Sequence, residues 1–247
     1  MGPHTAPPPR ARPRLRPGAL LLLTALSPLA GCWNHVEDHC TACAIVDHRA
    51  VAVPRYPEGV RAIVVLVPGA FGFGEEWAST VERLRGRREL RFFAYRWPGP
   101  WQGMARASTH LAAVLQATLD GAPPSTQRVI VLAHSAGGIL AGHAVRGLRP
   151  SRPPLTLAAI DAPANLDGWP FFADDDRRAE PRLGRQPASE RLPQGVQVIE
   201  YLAADPGAAK APSSSVVERV YLGGGVDHNG AVGMVSLPLL ERLVGGR

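Results

Sequence analysis

The segment Arg128-Val-Ile-Val-Leu-Ala-His-Ser-Ala-Gly-Gly138 decides the fold. It begins with a continuous apolar run rich in β-branched residues, which is typical of a strand buried on both faces of a sheet. The small residues around Ser135 then predict a tight turn, and the apolar pattern from Ile139 to Leu148 predicts a helix. The segment therefore predicts a buried strand, a sharp turn that carries a serine, and a helix.

The same alternation of apolar strands and helices extends along most of the chain. Leu111, Leu115 and Leu119 recur every four residues, as on the buried face of an amphipathic helix. Strands that alternate with helices predict an α/β fold with a mainly parallel sheet flanked by helices on both faces. The stretch at about 162–195 is rich in Asp, Arg and Pro, and we interpret it as a short lid-like insertion. The other predicted strands are 61–67, 90–97, 155–160, 196–202 and 217–222, and the other predicted helices are 75–84, 104–119 and 232–244.

The composition bounds the class of protein. A chain of 247 residues with 45% hydrophobic content can bury a full-sized core, so we expect one main domain over residues 60–247. The net charge of +6 gives no reason to expect a nucleic-acid partner, because four of the arginines precede the first apolar run. The rest of the chain has no basic stripe interleaved with aromatic residues.

The amino-terminal residues predict export. Residues 1–17 are rich in Arg and Pro and lead into the apolar run Gly18–Leu26, which is the layout of a secretory signal peptide over residues 1–31. The run is too short to span a bilayer, which needs about 20 residues. The sequence Leu29-Ala-Gly-Cys32 resembles the bacterial lipobox. This resemblance implies cleavage before Cys32, acylation of its thiol and anchoring to a membrane of the bacterial cell envelope; the alternative is an ordinary signal peptide with a coincidental cysteine.

Residues 32–59 are predicted to form a tether and, over Ala44 to Pro54, a short strand or hairpin at the sheet edge. Acylation of Cys32 would leave Cys40 and Cys43 as a pair, which favours a disulfide in an oxidising compartment. The alternative is a zinc site that combines these two cysteines with His35 and His39. No second ligand cluster follows, so we assign no metal.

The turn Ala133-His-Ser-Ala-Gly137 resembles the nucleophile elbow of the α/β-hydrolase family, Gly-x-Ser-x-Gly. Ala133 replaces the first glycine, as in a group of small bacterial lipases. The resemblance extends over about residues 60–245 and is closest to compact lipase-like esterases. It implies a serine hydrolase that cleaves carboxylic esters through an acyl-serine intermediate, with Ser135 as the nucleophile and with no metal or organic cofactor.

The resemblance also assigns the donors of an oxyanion hole. One is the backbone N–H of Ala136, the residue after the nucleophile. The loop Val67-Pro-Gly-Ala-Phe-Gly72 resembles the family's His-Gly-x motif, with Pro68 where histidine usually stands. The second donor is then the N–H of Ala70, with Phe71 as the alternative.

A serine hydroxyl needs a base, and the base needs a carboxylate. His228 follows the last strand and precedes the last helix, where the family carries its base, whereas we expect the side chain of His134 to point elsewhere. The family order places the acid after the next-to-last strand, at Asp205. Asp161, at the end of the preceding strand, is the alternative.

The sequence leaves the substrate open. Seven aromatic residues in the predicted loops around the site favour an apolar acyl pocket, although they equally fit ordinary loop packing. A thioesterase, a peptidase or an acyltransferase could use the same triad, and a non-catalytic envelope lipoprotein could share the fold. The seven residues are Phe71, Phe73, Trp97, Trp101, Trp169, Phe171 and Phe172.

Overall fold

The computed structural model describes residues 44–47, 56–70, 75–96, 104–150, 152–163, 192–203 and 217–245. The chain divides into two compact units, Met1–Cys32 and Trp33–Arg247, and every described residue belongs to the second. The predicted signal peptide and Cys32 therefore lie outside the described residues. So do residues 164–191, which make up most of the predicted lid-like insertion.

A seven-stranded sheet forms the centre of the described fold, with the order β1-β3-β2-β4-β5-β6-β7. All six neighbouring pairs are parallel, which confirms the predicted α/β class. The strands are β1 (Ala44–Asp47), β2 (Ala62–Val67), β3 (Leu90–Arg96), β4 (Arg128–His134), β5 (Leu155–Ile160), β6 (Val196–Leu202) and β7 (Val217–Tyr221). The helices are α1 (Glu75–Leu84), α2 (Met104–Asp120), α3 (Ala136–Arg146) and α4 (Gly230–Gly245).

Helices cover both faces of the sheet. On one face, Val65 and Val67 belong to a core that also contains the buried sides of α2 and α3. On the other face, Val64 and Leu66 belong to a core built with α1 and α4. Successive residues of β2 thus enter opposite cores, which is why its sequence is apolar without a break.

The helix boundaries have local causes. The Oδ1 atom of Asp227 accepts the N–H of Gly230 at 2.5 Å, so this carboxylate caps the amino end of α4. The helix therefore begins at Gly230, two residues before the start predicted from the sequence, Val232. Between α1 and α4, the hydroxyls of Thr80 and Ser236 form a buried hydrogen bond of 2.5 Å. None of the helices within the described ranges is both long and apolar enough to cross a membrane.

The parallel sheet fixes where chemistry can be assembled. All strands run in the same direction, so the residues that follow β2, β4, β5 and β7 meet at one edge of the sheet. That carboxyl edge is where open α/β sheets bind ligands. It holds the loop from Pro68 to Ala70, the turn at Ser135, Asp161, and the loop that contains His228.

Candidate active site

Ser135 occupies a strained turn between β4 and α3. Its φ of 53° and ψ of −129° are unusual for a residue with a side chain, and its hydroxyl makes no capping hydrogen bond to α3. The turn is held from both sides: Ser135 N–H donates to the carbonyl of Ile160 at 2.9 Å, and the Ser135 carbonyl accepts the N–H of Gly138 at 2.9 Å. The surroundings therefore impose a backbone conformation that serine rarely adopts.

Two glycines after the serine allow the elbow to pack closely. A Cβ atom on Gly137 would lie 2.3 Å from the carbonyl oxygen of Pro68, and a Cβ atom on Gly138 would lie 2.7 Å from the Cβ of Ala162. Both distances are far below van der Waals contact. The start of α3 can approach the loop after β2 and the end of β5 only because these positions lack side chains.

The loop after β2 lies directly against the serine side chain. A Cβ atom built on Gly69 would stand 3.1 Å from the Cβ of Ser135 and 3.6 Å from its Oγ. Ala70, the next residue, packs against the core that contains α2 and α3, and Ala136 is buried as the first residue of α3. The two residues predicted to donate to an oxyanion thus follow Gly69 and Ser135, whose close approach leaves little room for a side chain at position 69.

His228 forms a close pair with Asp161. The Nδ1 atom of the imidazole lies 2.5 Å from Oδ2 of the carboxylate, and the side chains are 48% and 24% exposed, respectively. Asp161 follows β5 directly and has a φ of 46°, the second non-glycine residue with a positive φ in the described chain. Ser135 and Asp161 thus occupy strained positions at the ends of neighbouring strands.

Backbone contacts hold the carboxylate of Asp161 in place. Its Oδ1 accepts the N–H of Ala203 at 3.0 Å, and its own N–H donates to the carbonyl of Tyr201 at 2.6 Å. The hydrogen bond with His228 is the main influence that lowers the pKa of Asp161 below its ordinary value. The Ala203 N–H and the charges of His228 and His134 act in the same direction, while burial opposes them. The carboxylate is therefore ionised and accepts from His228.

A second histidine lies behind His228. His134, the last residue of β4, is 4% exposed, and its Nε2 atom lies 3.1 Å from the backbone carbonyl of His228. The two imidazole rings are 4.5 Å apart between centroids. The other ring nitrogen of His134, Nδ1, lies 3.7 Å from Oε1 of Glu76 in α1. The sequence led us to expect only that the His134 side chain points elsewhere, and it predicted neither the contact with His228 nor the proximity to Glu76.

Several predicted residues lie outside the described part of the chain. Asp205 is one of them, so its assignment as the acid stays a prediction. The same holds for Cys32, for Phe71, the alternative oxyanion donor, and for the seven aromatic residues of the predicted acyl pocket. The histidines and cysteines of the alternative zinc site, His35, His39, Cys40 and Cys43, also lie outside it.

Within the described ranges, no group of three or more His, Cys, Asp or Glu side chains could hold a metal ion. A groove of about 860 Å³ lies at the amino ends of the strands, lined among others by Pro123, Pro154 and Gly195. These residues precede β4, β5 and β6, so the groove opens at the sheet edge opposite Ser135.

Comparison with known proteins identifies the class. The alpha/beta hydrolase family matches residues 64–237, which include Ser135, Asp161 and His228. The chain therefore belongs to the alpha/beta hydrolase family, and the class of protein is a hydrolase.

Other comparisons are more distant. No curated protein matches the chain. A similar solved structure is described as "the putative cell surface hydrolase from Lactobacillus plantarum WCFS1", at 13% sequence identity and a TM-score of 0.49, over 76% of this chain and 93% of that one. At this level, the similarity carries no argument about activity or location.

Proposed function

We propose that the protein is a serine esterase that cleaves carboxylic esters through an acyl-serine intermediate. Ser135 is the nucleophile, His228 the general base and Asp161 the acid. The observation that carries the proposal is the His228–Asp161 pair, located at the same sheet edge as a strained serine. A serine, a histidine and a carboxylate in these roles are what acyl transfer by a serine hydrolase requires.

The first step transfers a proton. With Nδ1–H of His228 held by Asp161, the lone pair of the imidazole resides on Nε2, the atom that would accept the hydroxyl proton of Ser135. The serine oxygen then forms a bond to the ester carbonyl carbon, and the carbonyl π electrons move to oxygen. Asp161 stabilises the imidazolium that results and remains ionised.

The oxyanion of the tetrahedral intermediate needs donors that are already in place. The N–H of Ala136 and the N–H of Ala70 are the proposed pair, and the close approach of Gly69 to the Ser135 side chain supports it. The intermediate collapses when His228 protonates the leaving alcohol. A water molecule then repeats the sequence on the acyl-serine, which releases the acid and restores the hydroxyl of Ser135.

We choose Asp161 over the predicted Asp205 as the acid because its carboxylate occupies the position that the mechanism assigns to the acid. It accepts from Nδ1 of His228, and its other oxygen is held by the N–H of Ala203. Both contacts favour the ionised form. An acid drawn from the end of β5 was the alternative that the sequence left open.

Ester hydrolysis can be tested with p-nitrophenyl esters of increasing chain length. We expect the wild-type protein to hydrolyse at least the short esters and Ser135→Ala to lose this activity. Hydrolysis of the matching thioesters or anilides in preference to the esters would contradict the esterase assignment and leave a serine hydrolase of another acyl class. Ester hydrolysis by Ser135→Ala at the wild-type rate would contradict the assignment of Ser135 as the nucleophile.

We also propose that the protein is exported and anchored to the cell envelope through Cys32. The support is the amino-terminal sequence alone: arginines, a short apolar run and the lipobox-like Leu29-Ala-Gly-Cys32. Two or more acyl chains would anchor the mature protein stably.

A further inference from the structure

His134 faces the side of the sheet that carries α1 and α4. It continues the alternation of Ile130 and Leu132, which belong to that core. The strand thus ends with an imidazole directed into one face of the sheet, immediately before the turn that carries Ser135. At 4% exposure, this imidazole is a buried polar group whose ring nitrogens need partners.

The first partner of His134 is the backbone of His228. A carbonyl oxygen can only accept, so Nε2 of His134 carries a proton and donates it to the His228 carbonyl across 3.1 Å. The rings are tilted by 39° at a centroid distance of 4.5 Å, so they also pack against each other. The residue before the serine thus fixes the backbone of the residue proposed as its base.

The second partner is Glu76, near the start of α1. Its Oε1 lies 3.7 Å from Nδ1 of His134, and the side chains of both residues are largely buried. This distance is longer than a hydrogen bond. The imidazole of His134 therefore lies between Glu76 of α1 and the His228 loop, and its hydrogen bond is to the His228 carbonyl.

The loop that carries His228 needs such a contact. It contains Gly223 and Gly225, both with positive φ, and its residues from Gly223 to Asn229 are exposed or only partly buried. Within the described ranges, Asp161 binds the side chain of His228, and His134 binds its carbonyl. The first contact orients the ring, and the second locates the backbone from which the ring extends.

We propose that His134 is a positioning residue that holds the His228 loop at the nucleophile strand, and that Glu76 keeps its imidazole in place. The proposal rests on the proposed function, because it acts through His228 as the general base. Loss of the Nε2–H donor leaves the side-chain contact with Asp161 in place but frees the backbone. Because a displacement of about 1 Å can reduce turnover about a hundredfold, we expect His134 to affect kcat strongly.

Two amide substitutions distinguish the role of Nε2 of His134 from the role of Nδ1. In His134→Gln, the amide nitrogen reaches about as far as Nε2 and can donate to the His228 carbonyl. In His134→Asn, the amide reaches only about as far as Nδ1 and cannot make that bond. His134→Phe keeps the ring volume and removes both polar atoms. His143→Gln, in helix α3, is the control for loss of a histidine elsewhere.

The measurements are kcat and KM for a short p-nitrophenyl ester, the rate of fluorophosphonate labelling, and thermal unfolding of each variant. We expect His134→Asn and His134→Phe to lose about ten- to a hundredfold in kcat and in labelling rate, with KM nearly unchanged. His134→Gln and His143→Gln should stay within about threefold of the wild type. If His134→Phe does not fold, the comparison of Gln with Asn decides the matter.

Glu76→Gln tests the support of the imidazole, with Glu82→Gln, exposed on the same helix, as its control. We expect a severalfold fall in kcat for Glu76→Gln and none for Glu82→Gln. Wild-type activity in His134→Asn, or a loss in His134→Gln as large as in His134→Asn, would overturn the positioning role. If the fluorophosphonate labels the wild-type protein normally, either result rejects this inference alone. If the wild-type protein is not labelled, the proposed function itself is rejected.

Discussion

The imidazole of His228 donates its Nδ1–H to Oδ2 of Asp161 across 2.5 Å, although 67 positions separate the two residues in the chain. The parallel sheet makes this contact possible, because β5 and β7 bring their carboxyl ends to the same edge. The pair fixes which nitrogen of His228 is free, and with it the direction in which a proton can move.

Replacement of Asp161 by asparagine tests the acid directly. Asp161→Asn should lower kcat by about 10⁴-fold, because an amide stabilises neither the correct tautomer nor the imidazolium. Asp205→Asn, the matched change at the acid that the sequence favoured, should leave kcat within a few-fold of the wild type. A large loss in Asp205→Asn together with normal turnover in Asp161→Asn would return the role to Asp205.

The lowered pKa of Asp161 predicts how stability depends on pH. Because the folded protein holds this pKa below the ordinary value of 3.8, the carboxylate contributes stability that is fully present above that value. The contribution should disappear as the pH falls through the lower pKa of the folded state. Urea unfolding of the wild type and of Asp161→Asn between about pH 6 and pH 2 should give free energies of unfolding that differ most at the higher pH and converge in acid. A difference that stays constant over this range would contradict the pKa shift.

The two glycines of the elbow should not tolerate a methyl group. In Gly137→Ala the new Cβ would meet the carbonyl oxygen of Pro68 at 2.3 Å, so either the elbow or the loop after β2 must move. We expect a loss of about 1–3 kcal/mol in the free energy of unfolding and a large loss of activity. Gly233→Ala is the control: it lies in α4 with no atom within 4 Å of the new Cβ and should gain about 0.5–1 kcal/mol. Equal stability and activity in the two variants would contradict the close packing.

Much of the fold can be predicted from the sequence, because strands buried on both faces of a parallel sheet have unbroken apolar sequences. The predicted strands 61–67 and 90–97 differ from β2 and β3 by one residue at one end. The elbow can also be predicted from the sequence. A tight turn with close packing on both sides needs small residues around Ser135, and the sequence shows them.

The choice between Asp161 and Asp205 depends on tertiary structure. Each aspartate follows a predicted strand, and chain order alone does not reveal the turn that directs Asp161 toward His228. The contacts of His134 cannot be predicted from the sequence for a related reason. Strand alternation shows which face it occupies, but its neighbour Glu76 lies in helix α1, and its hydrogen bond with His228 is to a backbone atom that no sequence pattern marks.

Export can be tested by the fate of the amino terminus. Intact mass and N-terminal sequencing of the mature protein from a bacterial host should give a chain that begins at an acylated Cys32. Cys32→Ser should accumulate as an unprocessed precursor or appear free of the membrane. A mature protein with an unmodified start at another residue would contradict lipidation and leave the ordinary signal peptide as the explanation.

The central claim is that Ser135 is a nucleophile activated by His228, and fluorophosphonate labelling followed by peptide mass mapping tests it most directly. The probe needs an activated serine and does not depend on the natural substrate. We predict that the wild-type protein is labelled on the peptide that contains Ser135. Ser135→Ala and His228→Ala should not be labelled, and the double variant should be hardly worse than either single one in ester hydrolysis, because the two residues act as a unit. Full labelling of Ser135→Ala at a different serine, or undiminished labelling of His228→Ala, would contradict the claim.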